Sequence, residues 1–442
     1  MKKIKKQLSS SQIIILGFAA VILLGSLLLT LPFATKDGQG AIFTDALFTA
    51  TSATCVTGLI VQDTGSYWTT FGQVVIISLI QIGGMGVVTL AVAISRASGR
   101  RISLKQRSTM QEAISAPKIG GIVRLTGFII KMTILFELLG AVIMAPSFCR
   151  EFGILTGIWY AVFHSISAFC NAGFDLMGVR EPYSSLTSFV DDPAINFAVM
   201  ALIIIGGIGF LTWDDIKVNR HHFGKYRMQS KVILMTTAAL ILLPAVYFFF
   251  FEFTDAPLAE RFWSSMFQSV TPRTAGFNTV DQLSMTEVGI AITTILMLIG
   301  GSPGSTAGGM KTTTLAVMFS TSLSVFRQRE HTHFFGRRIG EDVIRNAATV
   351  FMMYLTLCLM GGFLISRIEN LPVLTCLYEC ASAIGTVGLT LGITPDLELA
   401  SQLILIALMY IGRVGGLTLI FSALSGNKGN TARLPQEKLI VG

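Results

Sequence analysis

The sequence predicts an all-α integral membrane protein made of four pseudo-symmetric helix–pore-loop–helix repeats around one pore, with eight transmembrane helices and four re-entrant pore helices. Three observations predict it. Of the 442 residues, 52% are hydrophobic and only 13% charged, where a soluble domain carries about 25% charged residues. Several apolar runs approach the ~20 residues that cross a bilayer. Between those runs stand four segments built on a small residue, a glycine and a bulky apolar residue: Val56-Thr57-Gly58-Leu59, Asn171-Ala172-Gly173-Phe174, Thr274-Ala275-Gly276-Phe277 and Thr386-Val387-Gly388-Leu389. Their glycines lie 115, 103 and 112 residues apart, a spacing that marks internal repetition.

Each repeat reads as outer helix, short re-entrant helix, glycine loop and inner helix. Repeat one (1–119) places these at 11–31, 41–52 and 67–95, with Gly58 in the loop. Repeat two (120–229) places them at 122–145, 155–168 and 194–216. In repeat three (230–340) they fall at 230–253, 258–270 and 286–326, and in repeat four (341–442) at 343–366, 372–383 and 399–424, followed by a tail. The middle segments are too short to span, so they enter the membrane and stop.

A second signature keeps the same phase. Gly83, Gly206, Gly300 and Gly412 each follow an isoleucine and lie 25, 33, 24 and 24 residues after their loop glycine. The longer second interval fits an insertion around 180–192. One glycine cluster in a membrane helix means close packing; four at one depth also fit inner helices converging on an axis.

The third inner helix loses its pattern at Gly300-Gly301-Ser302-Pro303-Gly304-Ser305-Thr306-Ala307-Gly308-Gly309-Met310-Lys311. Glycine and proline at this density do not sustain a helix. Irregular backbone at membrane depth survives only when buried in protein or lining a wet cavity. The segment is therefore expected in or beside the permeation route.

Charge placement sets the topology. The net charge of +8 is concentrated at the N-terminus (Lys2, Lys3, Lys5, Lys6) and in the connections from each inner helix to the next outer helix, including Arg100, Arg101, Lys118, Lys217, Arg227, Arg337 and Arg338. The alternate connections carry acids such as Asp37, Asp175, Asp192 and Asp396. The positive-inside rule then puts the N-terminus, the basic loops and the C-terminus in the cytoplasm. That placement argues against a nucleic-acid partner. The six cysteines show no metal-ligand spacing and read as small buried residues.

The loop chemistry suits a cation. Inward-pointing backbone carbonyls replace a hydration shell, a backbone of that shape needs glycine, and re-entrant helix C-termini aim negative dipole ends at the same place. No carboxylate lies in the four loop cores.

On Thr271-Pro272-Arg273-Thr274-Ala275-Gly276-Phe277-Asn278, the broken segment and Ile411-Gly412-Arg413, nearly the whole chain resembles the Trk/Ktr/HKT superfamily of potassium transporters, and within it the bacterial Ktr membrane subunit. The resemblance implies potassium-channel-like uptake across the plasma membrane. Its selectivity filter would be formed by Val56, Thr57, Gly58, Asn171, Ala172, Gly173, Thr274, Ala275, Gly276, Thr386, Val387 and Gly388, with K⁺ at the four glycines. It implies a gate formed by Gly300, Gly301, Ser302, Pro303, Gly304, Ser305, Thr306, Ala307, Gly308, Gly309 and Lys311 together with Arg413. It also implies a homodimer in membrane lipid on a cytoplasmic ring of nucleotide-binding, RCK-type regulatory subunits, with sodium as an enhancer and no cofactor. An arginine about 6 Å from a permeating cation repels it by roughly 2.8 kcal/mol at an effective dielectric of about 20.

Arg273 is expected to brace the third loop, with Glu379 as its partner. His164, taken to head the second pore helix, is expected to pack rather than react. Residues 304–312 resemble a phosphate loop, but Met310 separates Gly309 from Lys311 and breaks the pattern. An enzyme needs convergent acid, base or metal groups, and the sequence offers isolated ones. The rival reading is an alternating-access secondary cation symporter with broken helices.

Overall fold

The computed structural model describes residues 9–97, 102–114 and 120–415. The N-terminal lysines, Arg100, Arg101, Lys118, the stretch 416–424 of the expected fourth inner helix and the tail 426–442 lie outside those residues.

Ser9 starts repeat one. Its hydroxyl accepts the Gln12 N–H at 3.2 Å and the Gln12 side chain accepts the Ser9 N–H at 3.0 Å, a reciprocal cap on helix α1 (Ser10–Leu29). Helix α2 (Phe43–Cys55) re-enters and α3 (Thr70–Met85) returns, followed by α4 (Val87–Ala97) and α5 (Leu104–Ile114). Helix α5 docks at the start of α1, where Ser11 Oγ donates to Glu112 Oε1 at 2.6 Å. Repeat two comprises α6 (Ile122–Phe152), α7 (Ile154–Phe169), α8 (Pro193–Gly207) and α9 (Phe210–Asn219). Pro193 and the Asp192 carboxylate, which accepts the Ala194 and Ile195 N–H groups, set the first turn of α8.

Repeat three runs α10 (Met228–Tyr247), a π-helical turn (Phe248–Glu252), α11 (Leu258–Val270), α12 (Glu287–Leu298) and α13 (Thr312–Phe326). A short antiparallel hairpin, β1 (His333–Phe334) with β2 (Arg337–Arg338), leads to repeat four. That repeat holds α14 (Glu341–Glu369), α15 (Val373–Gly385) and α16 (Leu399–Val414).

Among the described residues, α1, α6, α10 with its π turn, and α14 are each long and apolar enough to cross a membrane alone, and only about a third of each is buried. Leu24, Leu138, Leu243 and Phe363 on them are exposed, as a lipid-facing rim requires. The re-entrant helices form the interior instead: Phe48 to Cys55 of α2 and Tyr378 to Gly385 of α15 are wholly buried.

The inner helices correct the sequence reading, which breaks only the third. The first breaks between α3 and α4 at Gly86 and the second between α8 and α9 at Gly209, where the chain bends by 96°. The fourth ends at Val414 on Gly415. The three glycines share one conformation, with φ of 83°, 92° and 88° and ψ of 131°, 143° and 129°. Residues with a Cβ rarely adopt it. Each lies three residues after the signature glycine, so the pattern was visible but reads equally as close packing.

Candidate functional site

The re-entrant helices end alike. Val56, Asn171, Thr274 and Thr386, which follow α2, α7, α11 and α15, are left-handed with φ of 58°, 61°, 64° and 52°. That conformation costs a residue with a Cβ about 1–2 kcal/mol, so the surroundings must impose it. Two residues later Gly58, Gly173, Gly276 and Gly388 again have positive φ, 95°, 70°, 80° and 98°. A hydroxyl near each helix end ties the loop back. Ser52 and Ser382 accept the Gly58 and Gly388 N–H at 3.1 and 3.0 Å. Ser167 donates to the Phe174 carbonyl at 2.7 Å, and Thr271 donates to that of Phe277.

The four loops meet. A methyl placed on Gly58 would strike the Ala172 carbonyl oxygen at 2.5 Å, and one on Gly173 the Ala275 carbonyl at 2.6 Å. A methyl on Gly276 would strike the Val387 carbonyl, and one on Gly388 the Thr57 carbonyl. Each glycine thus stands against the carbonyl that precedes the next repeat's glycine, and the order closes as one, two, three, four, one. The twelve residues from Val56–Gly58 and its counterparts form a ring of backbone with no room for side chains at the four glycines.

Under the ring, the signature glycines admit the re-entrant helix ends. A Cβ on Gly83, Gly206 or Gly412 would collide with the carbonyl of Thr54, Phe169 or Ile384, in each case four residues before the ring glycine. In repeat three the same position, Gly300, faces the Gly308 carbonyl of the broken segment itself.

That segment closes as a loop, with the Gly300 N–H donating to the Met310 carbonyl at 2.7 Å and the Thr312 N–H to the Gly301 carbonyl at 3.0 Å. Its tip lies beneath the ring. Thr306 Oγ1 bonds Asn171 Oδ1 at 2.9 Å, and a Cβ on Gly308 would strike the Thr386 hydroxyl. Repeat two holds one flank through Ser302 N–H to Gly207 O at 2.9 Å and Phe210 N–H to Gly304 O at 2.7 Å. Lys311 Nζ folds back onto the Ala307 and Gly308 carbonyls at 2.9 and 3.1 Å. Arg413 donates to the Thr306 carbonyl and to the Gly83 and Gly84 carbonyls of α3. It therefore joins α16, the loop and repeat one. Below lies a cavity of about 310 Å³, lined by Gly84, Lys311 and Arg413 and reaching Glu112.

Other expectations change. Glu379 does not pair with Arg273; it accepts Thr390 Oγ1, the Leu391 N–H and Thr394 Oγ1 of its own repeat. Arg273 instead donates to Thr237 Oγ1 at 3.3 Å. His164 does not head α7 but sits near its end, with Nδ1 against the Tyr160 carbonyl at 2.8 Å and Nε2 receiving the Leu176 N–H at 3.4 Å. Beyond the ring, burial, with Asp63 nearby, pushes the Asp175 carboxyl up to about 7, against the opposing Met177 N–H bond. Asp63 accepts from Ser66 and from the Tyr183 N–H of repeat two, which links the first two mouth loops. Sequence alone gave no sign of that link.

A membrane-embedded bundle of four re-entrant repeats, with their loops gathered on one centre, has the architecture of a cation-transport protein. The chain belongs to the TrkH family of cation transport proteins, whose family model matches residues 5–428. It is 40% identical to the potassium/sodium uptake protein NtpJ of Enterococcus hirae, over 100% of this chain and 99% of that one. It is also 40% identical to the Ktr system potassium uptake protein B of Bacillus subtilis, over 98% of this chain and 96% of that one. The crystal structure of the potassium transporter TrkH from Vibrio parahaemolyticus shares the fold, with a TM-score of 0.75 at 20% identity over 95% of this chain and 86% of that one.

Proposed function

We propose that the chain is the pore-forming, translocating subunit of a Ktr-type potassium uptake system in a bacterial plasma membrane. The observation that carries the reading is the closed ring, in which each glycine abuts the carbonyl before the next repeat's glycine. Such a ring replaces the hydration shell of K⁺ with backbone oxygens, and the ends of four re-entrant helices add negative dipole potential. The membrane potential drives entry with about 2.3 kcal/mol per elementary charge per 100 mV. The names of the Enterococcus and Bacillus relatives support potassium as the cargo.

The same reading takes residues 300–311 with Arg413 as a gate below the filter, and the divisions at 119/120, 229/230 and 340/341 as the repeat boundaries. The basic connections and both termini face the cytoplasm. They dock a nucleotide-binding regulatory ring beneath a homodimer, with sodium as an enhancer. Cysteine labelling checks the topology: position 38 should react from outside and position 103 from inside.

The interrupted inner helices favour one second reading, alternating access by a secondary symporter. Reconstituted flux separates the two, because strict ion stoichiometry at low throughput belongs to the symporter. The primary test is growth of a potassium-auxotrophic bacterium at limiting K⁺, with and without a co-expressed ring subunit. Rescue is expected, and no rescue in either arm overturns the proposal.

A further inference from the structure

The four loops share one more position. Three residues before the anchoring hydroxyls Ser52, Ser167, Thr271 and Ser382 lie Thr49, His164, Gln268 and Glu379, all buried. In repeats two and four the side chain at this position braces the same amide, three residues beyond the ring glycine. His164 Nε2 receives the Leu176 N–H at 3.4 Å and Glu379 Oε1 the Leu391 N–H at 3.0 Å. Gln268 Nε2 instead donates to Gln282 Oε1 at 2.9 Å. His164 Nδ1 bonds a carbonyl while Nε2 accepts an N–H, which is the pattern of a neutral ring. Of the four side chains at this position three are thus uncharged, and the fourth is a glutamate.

Glu379 is 0% exposed. Its Oε1 accepts Thr390 Oγ1 at 2.5 Å and the Leu391 N–H, and its Oε2 accepts Thr394 Oγ1 at 2.8 Å. Among the described residues no lysine, arginine or histidine forms an ion pair with it. Buried charges are normally paired or bound to a metal ion, because removing them from water is costly. Here every bond to the carboxylate comes from the segment that follows Gly388 at the mouth of the ring.

We infer that Glu379 supplies the negative charge that stabilises a cation as it enters the ring from the mouth side, making it a determinant of K⁺ affinity in one repeat of four. The inference rests on the potassium-uptake reading. Two substitutions separate charge from bracing. Glu379→Gln keeps the size and an acceptor for the Leu391 N–H but removes the charge. Glu379→Asp keeps the charge but withdraws it from that N–H.

The measurement is concentration-dependent K⁺ uptake by the full chain with its ring subunit, normalised to the amount of protein in the membrane. The Gln variant should raise KM about tenfold, equivalent to about 1.4 kcal/mol, with the maximal rate little changed. The Asp variant should stay closer to wild type than the Gln variant. An unchanged KM in Gln, or an Asp variant worse than Gln, makes the residue a brace and overturns the inference. Should the Gln variant not reach the membrane, Asp alone decides: a KM within about threefold of wild type supports the charge, and a larger rise overturns it. A wild-type chain that takes up no K⁺ sinks the uptake reading instead.

Discussion

The ring and the level just beneath it are built on opposite plans. At the ring, four repeats give four loops of nearly one conformation, each wedged against the next. Beneath it, two inner helices break at a single glycine, Gly86 or Gly209, the fourth reaches Gly415 in the same conformation, and the third yields a loop of a dozen residues under the ring. Likeness suits a task that every repeat performs on the same ion. Unlikeness suits a task that one element performs for all. The two plans meet directly, where Thr306 Oγ1 of the loop bonds Asn171 Oδ1 of the ring.

The largest effect should come from breaking the likeness. Gly58→Ser introduces a Cβ at φ 95° against the Ala172 carbonyl. Discrimination between K⁺ and Na⁺ should fall by at least about tenfold, since the misfit exceeds about 1.4 kcal/mol. Unchanged permeability ratios would remove the ring from the selection step.

Breaking the unlike level comes next. Arg413→Ala releases the Thr306, Gly83 and Gly84 carbonyls and removes a positive charge that, under the proposed gate, would oppose a cation about 6 Å away by roughly 2.8 kcal/mol. Flux without the regulatory ring should rise, by up to about a hundredfold. A deletion within 301–309 should act in the same direction. Wild-type conduction in both would end the gate assignment.

A smaller change should follow from Gly86→Ala, which forces a Cβ into φ 83° at a cost of about 1–2 kcal/mol. Thermal unfolding of the purified protein should begin a few degrees lower, with K⁺ selectivity intact. If selectivity fell instead, the two levels would not be separable.

The smallest effect concerns Asp175. Its value near 7, raised from 3.8, means that the native chain holds a proton which the unfolded chain has already released. The stabilisation is full below about 3.8 and is lost as pH rises through about 7. Asp175→Asn should flatten that slope, narrowing the melting-temperature difference between pH 5 and pH 8 by about 1–2 °C. A slope unchanged by the substitution would assign the pH dependence elsewhere.

The repeat architecture was legible because glycine spacing and apolar length are properties of the chain itself. The expected re-entrant helix 258–270 coincides with α11 (Leu258–Val270). The breaks at Gly86 and Gly209 were not legible, because a glycine in an apolar run reads equally as close packing or as a kink. The carbonyls of Thr54 and Phe169 pressed against Gly83 and Gly206 account for the signature glycines by close packing, and the breaks fall three residues later. The expected Glu379–Arg273 pair is absent for a related reason: sequence shows opposite charges but not the three donors of residues 390–394 that already occupy the carboxylate. Side-chain identity carried the outline, and through-space neighbours carried the details.

Arg413 grips carbonyls in two places that belong to different quarters of the molecule. The loop under the ring is therefore pinned like a keystone rather than hung like a hinged flap. One guanidinium thus ties the loop to the seam between the first and last quarters, so a change on either side bears on the same side chain.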